Sequence, residues 1–277
     1  MAPPKDKPSQ QFTVGATIDR VSRLLQEAGC DAPQHDALCL VSQAVGALVH
    51  PPADSNRRLS KAAEGRLAEM VSRRVRREPL EYIIGRCDFH GITVTVDQRV
   101  LIPESSSEPL VDVAVDLPPK SRVHDVGTGS GAIALAIKAV RPDLVVTGSD
   151  ISRDATDVAR ANATRLNLDV QFATVAGVPD ARYDLVVANL PFQDQDAQTV
   201  PTTPEYTRYQ PRVAVFAGPT GLEVIEAILC DLRPGTRIAL KHAASQTDSL
   251  QVQLLDAASF APDRDVMRYT IGSARER

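Results

Sequence analysis

Apolar residues recur at helical spacing in the first part of the chain. Three such stretches predict amphipathic helices over residues 14–28, 35–49 and 61–77. Together they predict a small helical domain over residues 12–78. Residues 1–11 are rich in Pro, Lys, Ser and Gln and contain no apolar core, so we expect a disordered tail there.

The pattern changes after residue 78. Ile92, Val94 and Val96 alternate with other residues, which is the spacing of a half-buried strand. We therefore expect a short β-hairpin linker within residues 79–103 that bridges two domains.

Between residues 104 and 277, apolar runs of strand length alternate with stretches of helix length. Strands are expected near 122–126, 145–149, 170–173, 183–188, 236–241 and 267–272. Helices are expected near 131–140, 153–166, 220–232 and 246–256. This alternation predicts an α/β fold, with a doubly wound, Rossmann-like and largely parallel sheet covered on both faces.

Candidate chemistry lies where these strands end. Gly127, Gly129 and Gly131 follow the first strand, and they let the backbone turn tightly while leaving room for a flat ligand. Asp150 ends the next strand, where an acid can hold a ribose diol. The glycine spacing also fits a dinucleotide-binding turn, so a nicotinamide or flavin oxidoreductase is an alternative.

A second polar segment follows the strand near 183–188. It consists of Asn189, Leu190, Pro191 and Phe192. A dinucleotide oxidoreductase has no use for this tetrapeptide. We therefore expect a nucleotide-like cofactor site and a site for a substrate nitrogen at neighbouring strand ends.

The composition excludes several classes of protein. The formal net charge of −4 argues against a general nucleic-acid binder. The four cysteines are scattered without a C-x-x-C pair and the five histidines do not group, so no metal site is expected. Without a signal peptide or a long apolar span, we expect a cytoplasmic protein with no membrane partner.

Ordered motifs between residues 75 and 272 resemble those of the HemK-type glutamine-amide methyltransferases. The matching segments are 77–86, 99–103, 125–136, 150–152, 189–192, 210–212 and 221–222. Enzymes of that family use S-adenosylmethionine to methylate the glutamine of the GGQ loop in peptide release factors. The resemblance implies a class I methyltransferase domain over residues 104–277, with S-adenosylmethionine as the cofactor.

The resemblance also implies roles for individual residues. Cofactor-binding roles fall on Asp125, Gly127, Thr128, Gly129, Gly131, Asp150, Ile151 and Asn189. Catalytic roles fall on Asn189, Leu190, Pro191 and Phe192. The Asn189 side-chain oxygen and the Leu190 carbonyl would accept hydrogen bonds from a planar nitrogen group and turn its lone pair toward the donor methyl. Phe192 would pack on the substrate or face the sulfonium of the cofactor. Positioning of this kind can lower the activation barrier by on the order of 7–11 kcal/mol.

The chain departs from the family pattern on the substrate side. The family has Asn-Pro-Pro-Tyr where this chain has Asn-Leu-Pro-Phe, an arginine at the position of Glu104, and a glutamate at the position of Lys241. The acidic residue of the family's third cofactor motif has no clean counterpart in this chain, and Asp180 is the nearest candidate in the sequence.

These departures shape the expected substrate. Because a carboxylate favours a cation over a neutral amide, we expect a small guanidino compound such as free L-arginine. Its predicted binding residues are Glu104, Glu108, Glu205, Asn189 and Phe192. Three alternatives stay open: a release-factor glutamine as substrate, a nucleobase amine as substrate, and a binding protein without turnover.

Overall fold

A computed structural model describes most of the chain. The described residues are 13–196, 199–200, 202–260 and 267–275, with the backbone alone at residue 260. The tail predicted for residues 1–11 lies outside them. The chain forms two compact units that divide after Ile84. The second unit therefore begins inside the segment predicted to be a linker.

The first unit is helical. Its helices are α1 (Val14–Glu27), α2 (Pro33–Val45), α3 (Lys61–Val75) and α4 (Leu80–Ile84). The Ser60 hydroxyl accepts a hydrogen bond from the Ala63 N–H at 3.2 Å and begins α3. Gly46, in the left-handed conformation, ends α2, because a glycine adopts that conformation without a steric cost. The helix is therefore shorter than predicted.

Two salt bridges of α3 hold the helical unit together. The Arg74 guanidinium contacts the Asp36 carboxylate of α2 at 2.7 Å, and both side chains are buried. Arg73 contacts Glu78 at 2.6 Å. Two arginines at the end of α3 are therefore paired within their own unit.

The second unit is the α/β domain. Its helices are α5 (Pro109–Asp112), α6 (Ala132–Val140), α7 (Arg153–Leu166), α8 (Pro204–Tyr209), α9 (Arg212–Val215), α10 (Glu223–Asp231) and α11 (Thr247–Gln251). Its strands are β1 (Arg86–Phe89), β2 (Ile92–Thr95), β3 (Arg122–Val126), β4 (Val145–Asp150), β5 (Gln171–Thr174), β6 (Leu185–Ala188), β7 (Gln193–Asp194), β8 (Phe216–Gly218), β9 (Arg237–Ala243), β10 (Leu254–Phe260) and β11 (Met267–Ala274). Strands β1 and β2 form the expected hairpin.

Within the described residues, the main sheet has seven strands in the order β10-β11-β9-β6-β3-β4-β5. The five strands from β9 to β5 pair in parallel, and β11 and β10 pair antiparallel beyond β9. Every side chain of β6 is buried, as expected for a strand inside a sheet that is covered on both faces. The predicted α/β fold class is confirmed.

The predicted helix over 246–256 is wrong in its second half. Helix α11 ends at Gln251, and Leu254 begins the edge strand β10. Leu254 is buried in the core of the sheet and lies opposite Ala274 of β11. Pairing with β11 therefore determines the structure of this segment, because a short apolar stretch is compatible with a helix or a strand until its partner is known.

The register of the sheet sets the position of the candidate site. Val126 of β3 lies opposite Ser149 of β4 and Ala188 of β6. The residues that follow these strands therefore emerge at one edge of the sheet, where doubly wound sheets bind ligands. Among the described helices, none has the length and apolar character needed to cross a lipid bilayer.

Candidate functional site

The turn after β3 depends on glycine at two positions. Gly127 and Gly131 have φ angles of 72° and 82°, a region that disfavours other residues. A Cβ at position 127 would lie 2.7 Å from Cδ2 of Leu190, and one at position 131 would lie 3.1 Å from Ala159 and Phe172. The turn is therefore packed on the side that faces the protein.

Asp125 supports this turn from below. Its side chain is 1% exposed, and Oδ2 accepts hydrogen bonds from the Thr128 hydroxyl at 2.6 Å and the Ala134 N–H at 3.3 Å. Oδ1 is buried without a hydrogen-bond partner among the described residues. Burial raises the pKa of Asp125 to about 7. Asp125 does not line the cavity, so this placement points to support of the turn.

Asp150 stands at the end of β4 with its carboxylate in the cavity wall. Oδ2 accepts from the Gly129 N–H at 2.9 Å and Oδ1 accepts from the Ser152 N–H at 2.9 Å. Burial raises the pKa of Asp150, although these backbone donors oppose the shift. Each oxygen retains a further lone pair, so the carboxylate can still accept hydrogen bonds from a pair of hydroxyls.

A cavity of about 450 Å³ lies above these strand ends. Asn189, Leu190 and Pro191 line it after β6, and Ile151 and Val175 line it after β4 and β5. In the sheet, β6 and β5 lie on opposite sides of β3 and β4. The cavity therefore runs across the glycine turn from a polar end at Asn189 after β6 to Val175 after β5.

The structure also suits a flat cofactor above the turn. A Cβ at Gly129 would meet no atom within 4 Å, so the space above this peptide is open to the cavity. The lining combines a few carboxylates, Asp150 among them, with many apolar side chains, which is typical of small-molecule sites. The cavity fits a nucleoside-bearing cofactor with a ribose diol at Asp150.

Asn189 is oriented by a neighbouring hydroxyl. Its Nδ2 donates a hydrogen bond of 3.1 Å to Oγ of Ser107, which is 2% exposed. Among the hydrogen bonds between described residues, none uses Oδ1 of Asn189 or the carbonyl of Leu190. Both residues line the cavity, so these two acceptors can receive two N–H groups of a bound planar nitrogen.

The charge at Glu104 is taken up by Lys241. Lys241 extends from β9 with its side chain 2% exposed, and its Nζ lies 3.1 Å from Oε2 of Glu104. Burial lowers the pKa of Lys241, and the Glu104 carboxylate opposes that shift. Burial also raises the pKa of the Tyr206 phenol, and the charge of Glu104 adds to that effect. Glu104 is 46% exposed and does not line the cavity.

Several other predicted site residues lie outside the cavity lining. Phe192 is buried in the core between the sheet and α10, and its carbonyl accepts from Nε2 of Gln246 at 3.1 Å. Glu108 accepts from the His90 N–H at 3.1 Å, and Glu205 is half-buried on α8. Gly131 lies at the N-terminal end of α6.

The candidate for the third cofactor motif also lies elsewhere. Asp180 pairs with Arg233 at 2.5 Å and does not line the cavity. In its place, Val175, Gly177 and Asp231 line this end of the cavity. The sequence predicted none of these three residues as part of the site.

Ser107 and Lys241 were also missed as site residues. Ser107 lies three residues after Glu104, in a loop where the chain departs from the family pattern. A signal for Lys241 was present: the charges at positions 104 and 241 are both reversed relative to the family pattern. Two opposite reversals at separate positions indicate a direct ion pair, which the structure contains.

Comparison with known proteins identifies relatives along most of the chain. Two family models match: the PrmC N-terminal domain over residues 16–85 and the Methyltransferase small domain over residues 105–208. The chain is 32% identical over 262 residues to the release factor glutamine methyltransferase of Deinococcus radiodurans, covering 89% of this chain and 92% of the relative. It is 34% identical over 255 residues to that of Caulobacter vibrioides, covering 87% and 88%.

Solved structures share the fold at low sequence identity. The hMettl16 catalytic domain, in a crystal structure with a MAT2A 3'UTR hairpin, superposes with a TM-score of 0.53 at 16% identity. The match covers 74% of this chain and 80% of that domain. At this identity the similarity concerns the architecture of the sheet alone.

The expectation of a small guanidino substrate such as free L-arginine is wrong. The relatives that match nearly the full chain are release factor glutamine methyltransferases, and the N-terminal domain match agrees with them. The structure removes the physical reason for the expectation. Because Lys241 neutralises Glu104 outside the cavity lining, the reversal at position 104 adds no net negative charge for a cationic substrate.

Proposed function

Because the chain belongs to the release factor glutamine methyltransferase family, and is therefore an S-adenosylmethionine-dependent N-methyltransferase, we propose that its substrate is the glutamine side-chain amide of a peptide release factor. The partner is then a protein that inserts one side chain into the cavity. The observation that carries this proposal is the pair of unused acceptors at Asn189 and Leu190 beside the glycine turn.

The cofactor is assigned to the part of the cavity between Gly129 and Val175. The open surface above Gly129 accommodates the amino-acid portion, and the Asp150 carboxylate accepts hydrogen bonds from the ribose hydroxyls. Ile151 and Val175 provide apolar surface for the adenine. Bound S-adenosylmethionine supplies an electrophilic methyl group on a positively charged sulfur.

The remaining polar end of the cavity is assigned to the substrate amide. An amide nitrogen is a poor nucleophile because its lone pair is delocalised into the carbonyl group. Hydrogen bonds from its two N–H groups to Oδ1 of Asn189 and the carbonyl of Leu190 fix the rotation of the amide plane. They also stabilise the positive charge that develops on nitrogen during transfer.

The proton balance requires no base in the cavity. Once the nitrogen has gained a methyl group, the N-alkylated amide is a strong acid and loses a proton to water. None of the three carboxylates predicted to bind substrate, Glu104, Glu108 and Glu205, lines the cavity. The carboxylates that do line it belong to Asp150, Glu223 and Asp231, and none of these is at a position predicted to bind a guanidinium.

Mass spectrometry of a purified bacterial release factor tests the proposal. After incubation with the protein and S-adenosylmethionine, the peptide that contains the GGQ glutamine should gain the mass of one methyl group. A release factor with that glutamine replaced by alanine serves as the matched control and should gain none. Methylation of free L-arginine with no change in the release factor would refute the proposal.

A further inference from the structure

We propose that Ser107 is a positioning residue for methyl transfer, and that Lys241 holds its hydroxyl in the place where it fixes the Asn189 amide. This inference rests on the proposed function, because it concerns the orientation of the acceptor that receives the substrate N–H. The group to be positioned is the substrate amide, and Ser107 acts on it through Asn189.

The first observation is the environment of the Ser107 hydroxyl. Oγ is within hydrogen-bond distance of two donors, Nδ2 of Asn189 at 3.1 Å and Nζ of Lys241 at 3.1 Å. A hydroxyl oxygen has two lone pairs, so both are used. With Nδ2 bound to Ser107, the opposite atom of the amide, Oδ1, is the one presented to the cavity.

The second observation is that Lys241 is fully committed to the loop that carries Ser107. Its three N–H donors reach three oxygens: Oε2 of Glu104 at 3.1 Å, Oγ of Ser106 at 2.8 Å and Oγ of Ser107 at 3.1 Å. A buried ammonium is unfavourable unless each donor finds a partner. The loop therefore provides the oxygens that stabilise Lys241, and Lys241 in turn fixes the loop.

The third observation is a second attachment of the same loop. Tyr269 of β11 lies directly opposite Lys241 of β9 in the sheet. Its buried hydroxyl donates a hydrogen bond to the backbone carbonyl of Ser106. Two neighbouring strands of the sheet thus hold residues 104–107 beside Asn189. Ser107 is placed by the rigid part of the domain, as precise positioning requires.

Side chains at position 107 test the role of the hydroxyl. Ser107→Ala should lower kcat for the release factor by about tenfold, the effect of one lost hydrogen bond, with KM and the Kd for S-adenosylmethionine unchanged within about threefold. Ser107→Thr keeps a hydroxyl and should recover most of that loss. Ser105→Ala, an exposed serine of the same loop, is the matched control and should behave as wild type.

Lys241 is tested by removal and by exchange of the ion pair. Lys241→Met should lower kcat at least as much as Ser107→Ala. The double variant Glu104→Arg/Lys241→Glu restores the ion pair. A glutamate at 241 can accept a hydrogen bond from the Ser107 hydroxyl, while Oγ of Ser107 still accepts one from Nδ2 of Asn189. It should therefore recover kcat relative to Lys241→Met. Circular dichroism and donor binding identify any variant that fails to fold.

A readout without turnover separates this inference from the proposed substrate. In NMR spectra, the side-chain NH2 of Asn189 should exchange slowly with solvent in the wild-type protein and in Ser107→Thr, and faster in Ser107→Ala. Failure to methylate a release factor would overturn the proposed function alone. Unchanged Asn189 exchange and unchanged kcat in Ser107→Ala, or an equal loss of kcat in Ser107→Thr, would overturn the positioning role.

Discussion

Asp125 should make the protein less stable as the pH rises from about 5 to about 8. The carboxyl group is completely buried under the glycine turn, and burial raises its pKa from 3.8 to about 7. Between these two values, the folded protein binds a proton at Asp125 while the unfolded chain does not. The stability from this group is therefore fully present below the unfolded pKa and is lost as the pH rises through about 7.

The size of the effect follows from the shift. One pKa unit corresponds to about 1.4 kcal/mol, so the full shift is worth about 4 kcal/mol. Over the measurable interval from about pH 5 to about pH 8, linkage gives a loss of about 2–3 kcal/mol. Asp125→Asn removes the titrating group and keeps the shape of the side chain. The stability of this variant should therefore not show this loss with rising pH.

Urea unfolding of both proteins at several pH values measures the difference. The free energy of unfolding of Asp125→Asn relative to wild type should rise by about 2–3 kcal/mol between pH 5 and 8. Asp143→Asn is the control: Arg141 lowers the pKa of Asp143, so Asp143 is ionised throughout and its difference should stay constant. A change below about 0.5 kcal/mol for Asp125→Asn would show that burial does not hold this carboxyl protonated.

Three further perturbations test other parts of the account. Gly131→Ala should destabilise the domain by about 1–3 kcal/mol more than Gly129→Ala in urea unfolding, because both have positive φ but a Cβ at 131 alone meets packed side chains; equal losses would contradict the packing of the turn. Asp36→Ala should cost about 3–5 kcal/mol in thermal or urea unfolding, because it removes the carboxylate that pairs with buried Arg74; a loss below about 1 kcal/mol would mean that the pair is solvated. Asp150→Asn should weaken S-adenosylmethionine binding about 10- to 100-fold by calorimetry, and an unchanged Kd would remove Asp150 from the cofactor site.

The parts of the site that depend on local sequence could be predicted. A strand, a glycine turn and an acid at the next strand end lie within about 30 residues, and their spacing follows from the geometry of parallel strands. Gly127, Asp150 and Asn189 therefore line one cavity, as their positions in the sequence predict. The same locality explains why helix α7 matches its predicted bounds of 153–166.

Contacts between distant segments could not be predicted in the same way. Ser107 and Asn189 are 82 residues apart, and Glu104 and Lys241 are 137 residues apart. The sequence shows a charge reversal at position 104 and another at position 241, but it does not show that the two residues contact each other. Without the pairing of the two, the sequence predicts Glu104 as a substrate ligand. The edge strand β10 shows a different limit: its residues are compatible with a helix or a strand, and pairing with β11 decides between the two.

The central claim is that Asn189 and Leu190 hold the reacting nitrogen opposite the methyl donor. The most direct test compares Asn189→Ala with wild type in kcat/KM for a release factor and in Kd for S-adenosylmethionine. We predict that kcat/KM falls about 100- to 1000-fold, as when one charge-stabilising partner is removed from an active site, while Kd changes by less than about threefold. A full rate of methyl transfer by Asn189→Ala would contradict the claim.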